Sequence, residues 1–280
     1  MIKYIRLLRL QDQYLQFTGA ILAGIFLHMK DWSILWWAIA VTLMGFAAFI
    51  INEITDRADT DKYSSNPVHI TRGEHLDMRI VEVMFIAASA SGLILSWYLG
   101  HVWWALAIYL IGVSYSLEPL RLKRRPGFDL GAQALACMIL PFLALTWGNA
   151  NGDLTSAFLV VVTLVFLSAG FPYQIADFVA DKKSGIQSLH VALGVDGSLM
   201  FGLSLGSAGI ILYLLFGLYR WEWWTIPGAI LFPITLVYYV ACLRLRSFTQ
   251  KIAMTRNYAK ITLWITRLVA VYLLFVWRFF

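Results

Sequence analysis

Charge is scarce in this chain. Of 280 residues, 14% are Asp, Glu, Lys or Arg, where an ordinary soluble domain carries about 25%. That scarcity excludes a water-soluble globule. Cysteine is scarce too: Cys137 and Cys242 both sit in apolar stretches, with no CxxC partner. No His/Cys cluster has zinc spacing, so a disulfide scaffold, a zinc module and a thiol redox centre all lack their residues. Low-complexity linkers are missing as well. The N-terminus carries Lys3, Arg6 and Arg9 before its first apolar run, but no small-residue cleavage site follows. A retained helix is therefore expected there rather than a signal peptide.

Apolar residues make up 60% of the chain, and they fall into runs of roughly 17–25, the length that crosses about 30 Å of hydrocarbon. The runs are too long and too uniform for alternating barrel strands, which leaves helices. The reading is an all-α polytopic membrane protein with nine transmembrane helices, at 13–29, 32–52, 80–99, 102–117, 130–147, 154–175, 199–218, 223–243 and 261–277. The connections alternate between short and long. About 18 of the 22 Lys and Arg residues lie in the N-terminus and the long loops. By the positive-inside rule those parts are cytoplasmic, with the cell inner membrane as the expected location. The net charge of +6 is thus a topology signal, and no nucleic acid partner is expected. Tryptophans such as Trp32, Trp36, Trp97, Trp103 and Trp223 gather near the short loops, as interfacial aromatic belts do.

A weak internal repeat is visible, about 13–117 and 130–243, followed by a final helix within one membrane domain spanning 1–280. The second run ends in Asn52-Glu53-Ile54-Thr55-Asp56-Arg57-Ala58-Asp59-Thr60-Asp61-Lys62, and the sixth in Asp177-Phe178-Val179-Ala180-Asp181. If the helices continue past the membrane edge, Asn52 and Asp56 share one face, and Asp177 and Asp181 share another. Asp59 joins the first face, whereas Asp61 points away unless the chain unwinds. Magnesium takes hard oxygen ligands, usually one or two carboxylates plus substrate phosphate oxygens. Two opposed acidic faces would therefore suit Mg²⁺ ions that clamp a diphosphate. The plainer alternative is a pair of solvated helix ends beside basic loops. Basic segments supply the complement: Tyr115 to Arg125 after the fourth run, and residues 66–73, with Arg72, after the first acidic segment. Arg forks and Lys point charges both suit diphosphate oxygens.

These residues together resemble the UbiA superfamily of intramembrane prenyltransferases. The resemblance rests on Asn52/Asp56, Asp177/Asp181, Tyr115-Ser116-Leu117-Glu118-Pro119-Leu120-Arg121-Leu122-Lys123-Arg124, and Gly185-Ile186-Gln187-Ser188-Leu189-His190-Val191-Ala192-Leu193-Gly194. It implies a helical bundle around a central cavity in the lipid bilayer, and Mg²⁺-dependent ionisation of a prenyl diphosphate. The prenyl group would pass to an acceptor, an aromatic ring or quinone precursor, with a sugar phosphate or haem-like molecule as a further candidate. Asn52, Asp56, Asp177 and Asp181 are the implied catalytic and metal-binding residues, with Asp59 or Asp61 assisting. Tyr115, Lys62, Arg72, Arg121 and Lys123 would hold the diphosphate. Thr60 stands where the family has the last Asp of its first motif, residues 66–73 differ from the family pattern, and Arg9-Leu10-Gln11-Asp12-Gln13 replaces its usual N-terminal segment. Cyclisation of the cation by its own double bonds, as in UbiA-type terpene synthases, is the alternative reading. A transporter is the remote one, because transporter sites lie near the midplane at broken helices. Here the acids sit at one boundary, and the runs hold few ionisable residues besides Glu82 and Arg267.

The topology has a direct test. In intact cells a membrane-impermeant thiol reagent is expected to label Asn151→Cys but not Lys183→Cys, and the reverse pattern would invert the orientation.

Overall fold

The computed structural model describes residues 2–9, 14–29, 31–58, 76–148, 152–219 and 226–279. Among these residues the regular structure is entirely helical. In chain order come α1 (Ile2–Leu7), α2 (Tyr14–Phe26), α3 (Ser33–Ala58), α4 (Met78–Tyr98) and α5 (Val102–Ser116). After a 3₁₀ turn (Leu122–Arg124), α6 (Phe128–Ala134) runs through a π-helical turn (Leu135–Ile139) into α7 (Leu140–Thr146). Then follow α8 (Gly152–Lys183), α9 (Leu189–Tyr219), α10 (Ile226–Arg244) and α11 (Phe248–Phe279). Each of the nine expected runs overlaps a helix among the described residues, the run 130–147 falling on α6, the π turn and α7 together, while α1 precedes the first run. Five helical stretches are long and apolar enough to cross a membrane: Ser33–Arg57, Met78–Tyr98, Phe128–Thr146, Thr155–Lys183 and Leu189–Phe216.

The helices outlast the apolar runs on one face. α3 extends beyond residue 52, α8 beyond 175, and α9 and α11 begin well before 199 and 261. All four extensions lie on the side of the long, basic loops. Hydropathy falls where charge begins, but backbone hydrogen bonding does not stop there.

Two of the interior prolines, Pro172 and Pro141, shape the packing, since proline lacks the N–H that a helix uses to bond the preceding turn. Pro172 lies inside α8, which releases the carbonyl of Ser168. The Tyr239 hydroxyl, on α10, donates to that oxygen at 2.6 Å, and the Ser168 hydroxyl donates to the Gly202 carbonyl of α9 at 3.1 Å. A Cβ on Gly202 would lie 2.4 Å from the Tyr239 oxygen, so glycine is what lets the ring reach its acceptor. Pro141 likewise withholds a backbone donor from the π turn that contains the Cys137 carbonyl. α2 packs so closely there that a Cβ on Gly19 would come within 2.9 Å of that oxygen. The indole Nε1 of Trp37, on α3, donates to the Pro141 carbonyl at 3.0 Å. Lipid offers no water to a freed carbonyl, so neighbouring helices or close packing must accommodate it.

The core has three parts. One cluster, centred on Trp37, Phe142 and Phe158, joins α2, α3, α5, α7, α8 and α11 toward the short loops. A second, centred on Phe171, Leu199 and Tyr239, joins α8 to α11 toward the long-loop face. A small third cluster (Leu7, Ile50, Leu76, Val81) pins α1 and α4 to α3. Replacing Gly202 with Val should destabilise the protein by about 1–3 kcal/mol through overpacking, and Tyr239→Phe should cost about 1–3 kcal/mol by leaving the Ser168 carbonyl unpaired. Thermal denaturation in detergent micelles checks both: each variant should melt below the wild type.

Candidate active site

Because α3 stays helical to Ala58, Asn52 and Asp56 lie one turn apart beyond its apolar stretch. Neither is left to solvent. The Ser116 hydroxyl, at the end of α5, donates to Asn52 Oδ1 at 2.8 Å. Lys123, in the 3₁₀ turn, pairs with Asp56 and reaches the same Asn52 oxygen at 3.4 Å. Asp56 and Lys123 are both buried. Burial pushes the Lys123 ammonium down to about 7, against the raising field of Asp181, the largest charge opposing that fall. One buried cation therefore answers to both acidic segments. The neighbouring Glu53 is buried as well and pairs with Arg9, which stacks over Phe49. That pair fastens the end of the N-terminal segment to α3.

The second segment owes its geometry to a helix ending. Gly185 takes a φ of 72°, Gly185 N–H donates to the Lys182 carbonyl at 3.3 Å, and Ile186 N–H reaches back to the Asp181 carbonyl at 3.0 Å. This is the left-handed glycine cap that satisfies the last carbonyls of a helix and reverses the chain. The reversal returns residues 186–190 past the acidic face. There His190 Nε2 lies 3.0 Å from Asp181 Oδ2, and the Ser188 hydroxyl lies 3.2 Å from that nitrogen. Gly194, at φ 69° and ψ 175°, then breaks the short turn from the body of α9.

Asp129, buried at the start of α6, holds the returning segment in place. Its carboxylate accepts from Gly127 N–H at 2.9 Å and from Leu189 N–H at 3.0 Å. One turn inside Asp177, Gln174 donates to Gln133 at 3.2 Å, and Gln133 donates to the Tyr115 hydroxyl at 3.0 Å. A polar chain thus links α8, α6 and α5 beneath the acidic residues. Arg121, buried, meets Glu118 at 3.5 Å. Asp59, Asp61, Lys62 and Arg72 lie outside the described residues. Among those described, no three His, Cys, Asp or Glu side chains cluster tightly enough to hold a metal ion by themselves.

Residues 17–264 match the profile of the UbiA prenyltransferase family. The chain belongs to that family. A stretch of 119 residues is 34% identical to the bacteriochlorophyll synthase 33 kDa chain of Rhodobacter capsulatus, covering 39% of this chain and 38% of that protein's length. The fold matches a UbiA homologue from Archaeoglobus fulgidus solved with DMAPP and Mg²⁺, at a TM-score of 0.69 and 19% identity, over 96% of this chain and 99% of the other. The same homologue bound to GPP and Mg²⁺ matches equally well, at 0.69 and 19% over the same shares. The UbiA fold, and with it an integral membrane protein, is what these likenesses establish.

Several participants escaped the sequence reading. Gln133 and Gln174 are polar residues inside apolar runs, and Asp129, an acid one residue before an expected span, was a usable signal. Glu53 was passed over beside the motif acids, and its pairing with Arg9 spans 44 residues, beyond any local pattern.

The Lys123–Asp56 pair has a mutational signature. Removing one partner of a buried ion pair typically costs about 3–5 kcal/mol, while replacing both is far milder. Lys123→Met should therefore lower the melting temperature in detergent more than the Asp56→Asn/Lys123→Met double variant, and equal losses would show that the pair is not coupled.

Proposed function

We propose that this UbiA-family protein ionises an isoprenyl diphosphate with the help of Mg²⁺ and transfers the prenyl group to an acceptor, an aromatic or quinone precursor. The observation that carries this reading is the buried Lys123 lying against Asp56 and within the field of Asp181. It draws a cation and the two acidic segments into one neighbourhood at one face of the bundle.

The donor set fits magnesium. Asn52, Asp56, Asp177 and Asp181 present hard oxygens in two pairs, one pair from each of the proposed repeats (13–117 and 130–243), and Asp59 or Asp61 would add to the first. Magnesium is commonly held by one or two carboxylates with phosphate oxygens completing the shell. When bound, the metal supplies Lewis-acid stabilisation of a pyrophosphate leaving group. The chain's own residues do the rest. Lys123 and Arg121, with Lys62 and Arg72, offer positive charge to diphosphate oxygens, and Tyr115 adds a hydroxyl. Fixed charge where negative charge develops lowers the barrier to breaking the allylic C–O bond. The isoprenoid tail would lie among the apolar helices, in a cavity on the lipid side of the acids. The acidic face would be cytoplasmic, at the inner membrane. The A. fulgidus homologue solved with DMAPP or GPP and Mg²⁺ supports the choice of substrate and ion.

A second reading of the acceptor, a haem-like macrocycle, is favoured by the stretch shared with bacteriochlorophyll synthase. Purified protein incubated with geranylgeranyl diphosphate should release pyrophosphate and form prenylated product only when Mg²⁺ and an acceptor are both present, and chelation should abolish turnover. Comparing aromatic with macrocyclic acceptors separates the two readings, and a cyclic hydrocarbon or alcohol formed without any acceptor would overturn both. Asp56→Asn and Asp181→Asn should each lower kcat on the order of 100-fold, and wild-type turnover in either would refute the site.

A further inference from the structure

Asp181 is held in a way that its motif does not require. Its Oδ2 faces the imidazole of His190 at 3.0 Å, with the Ser188 hydroxyl 3.5 Å away. A carboxylate only accepts, so His190 Nε2 carries the proton and donates it. His190 is 3% exposed. Its ring is fixed by the Ser188 hydroxyl on one side and by Phe178, whose ring centroid is 6.4 Å away. Its backbone is fixed too, because the Ser198 hydroxyl donates to the His190 carbonyl at 3.2 Å. Below it, Asp129 holds Leu189 N–H. The result is a supported relay: Asp129 fixes the start of α9, that start places His190, and His190 takes one oxygen of Asp181. Among the described residues Oδ1 of Asp181 receives no hydrogen bond. Oδ1 is therefore the oxygen of Asp181 for which no described protein donor competes.

We propose that His190, backed by Ser188, is a positioning residue that engages Oδ2 of Asp181 and so presents Oδ1 alone to the metal. The inference rests on the reading of the acidic pairs as the magnesium–diphosphate site. A ligating carboxylate is normally oriented by its own hydrogen bonds, and losing such a partner typically weakens metal affinity 10- to 100-fold. A one-oxygen contact also leaves more of the ion's coordination sphere for phosphate oxygens, which octahedral Mg²⁺ needs.

The test exploits the two ring nitrogens. A glutamine amide nitrogen can occupy the place of Nε2, whereas an asparagine amide nitrogen reaches only to that of Nδ1. A residue needed merely to fill space or to be polar would not distinguish them. Full-length protein in detergent is titrated with Mn²⁺, read by its paramagnetic resonance, in the presence of an unreactive thio-analogue of geranyl diphosphate. His190→Gln should bind Mn²⁺ close to wild type, and His190→Asn should bind about tenfold more weakly. In turnover with geranylgeranyl diphosphate, His190→Asn should need about tenfold more Mg²⁺ for half-maximal rate, while kcat at saturating Mg²⁺ stays within about twofold of wild type. Equal Mn²⁺ affinities for the Gln and Asn variants, with Asp181→Asn weakened, would overturn the positioning role alone. Undiminished Mn²⁺ binding by Asp181→Asn would instead remove the site reading on which it rests.

Discussion

A lysine ammonium buried beside the headgroup level of a membrane protein must find a carboxylate, and Lys123 finds Asp56. That requirement organises the polar face of the molecule. The lysine sits in a turn between α5 and α6, its partner sits on α3, and Ser116 joins them through Asn52. Holding this cation in place ties the turn after α5 to the end of α3. The field of Asp181 reaches the same ammonium, so the second half of the chain is tied into the same balance of charge. The basic turn after α5 and the acidic residues at the end of α3 neutralise each other locally, which is cheaper than burying either sign alone.

The apolar body obeys a different rule with the same logic. Pro172 and Pro141 each withhold a helical donor from the preceding turn, and lipid cannot supply one. At Ser168 the answer is a tyrosine from the neighbouring helix, admitted by a glycine. Around Cys137 it is a π turn and a glycine on α2 that allows near contact. The polar chain through Gln174, Gln133 and Tyr115 carries the principle into the space beneath the acids, where side-chain amides satisfy one another across three helices. Rigid packing of this kind is what the proposed site, drawn from two halves of one chain, needs.

Hydrophobic runs alone located the helices from α2 onward among the described residues, because a membrane leaves few alternatives to a helix of about twenty apolar residues; the six-residue α1 lies ahead of the first run. They misjudged lengths on one face only. At the ends of α3 and α8, and the starts of α9 and α11, charged residues lower hydropathy without disturbing the hydrogen-bond ladder. The pairing of Asn52 with Asp56 and of Asp177 with Asp181 was legible for the same reason: helical periodicity places i and i+4 on one face. The roles of Asp129, Ser188 and His190 were not legible, since each acts through the chain reversal at Gly185 or across 60 residues of sequence.

Composition and periodicity by themselves determined that this chain is an all-helical membrane protein with its charge gathered at one face, because solvent transfer energies act residue by residue and need no knowledge of neighbours. The ordered motifs sufficed for the family, since local spacing survives in a linear string. Which oxygen of Asp181 is occupied, which acid neutralises Lys123 and which hydroxyl answers Pro172 were decided only by the tertiary structure. Hydrogen bonds and ion pairs depend on distances of a few tenths of an ångström between residues far apart in the chain, and only the packed helices set those distances.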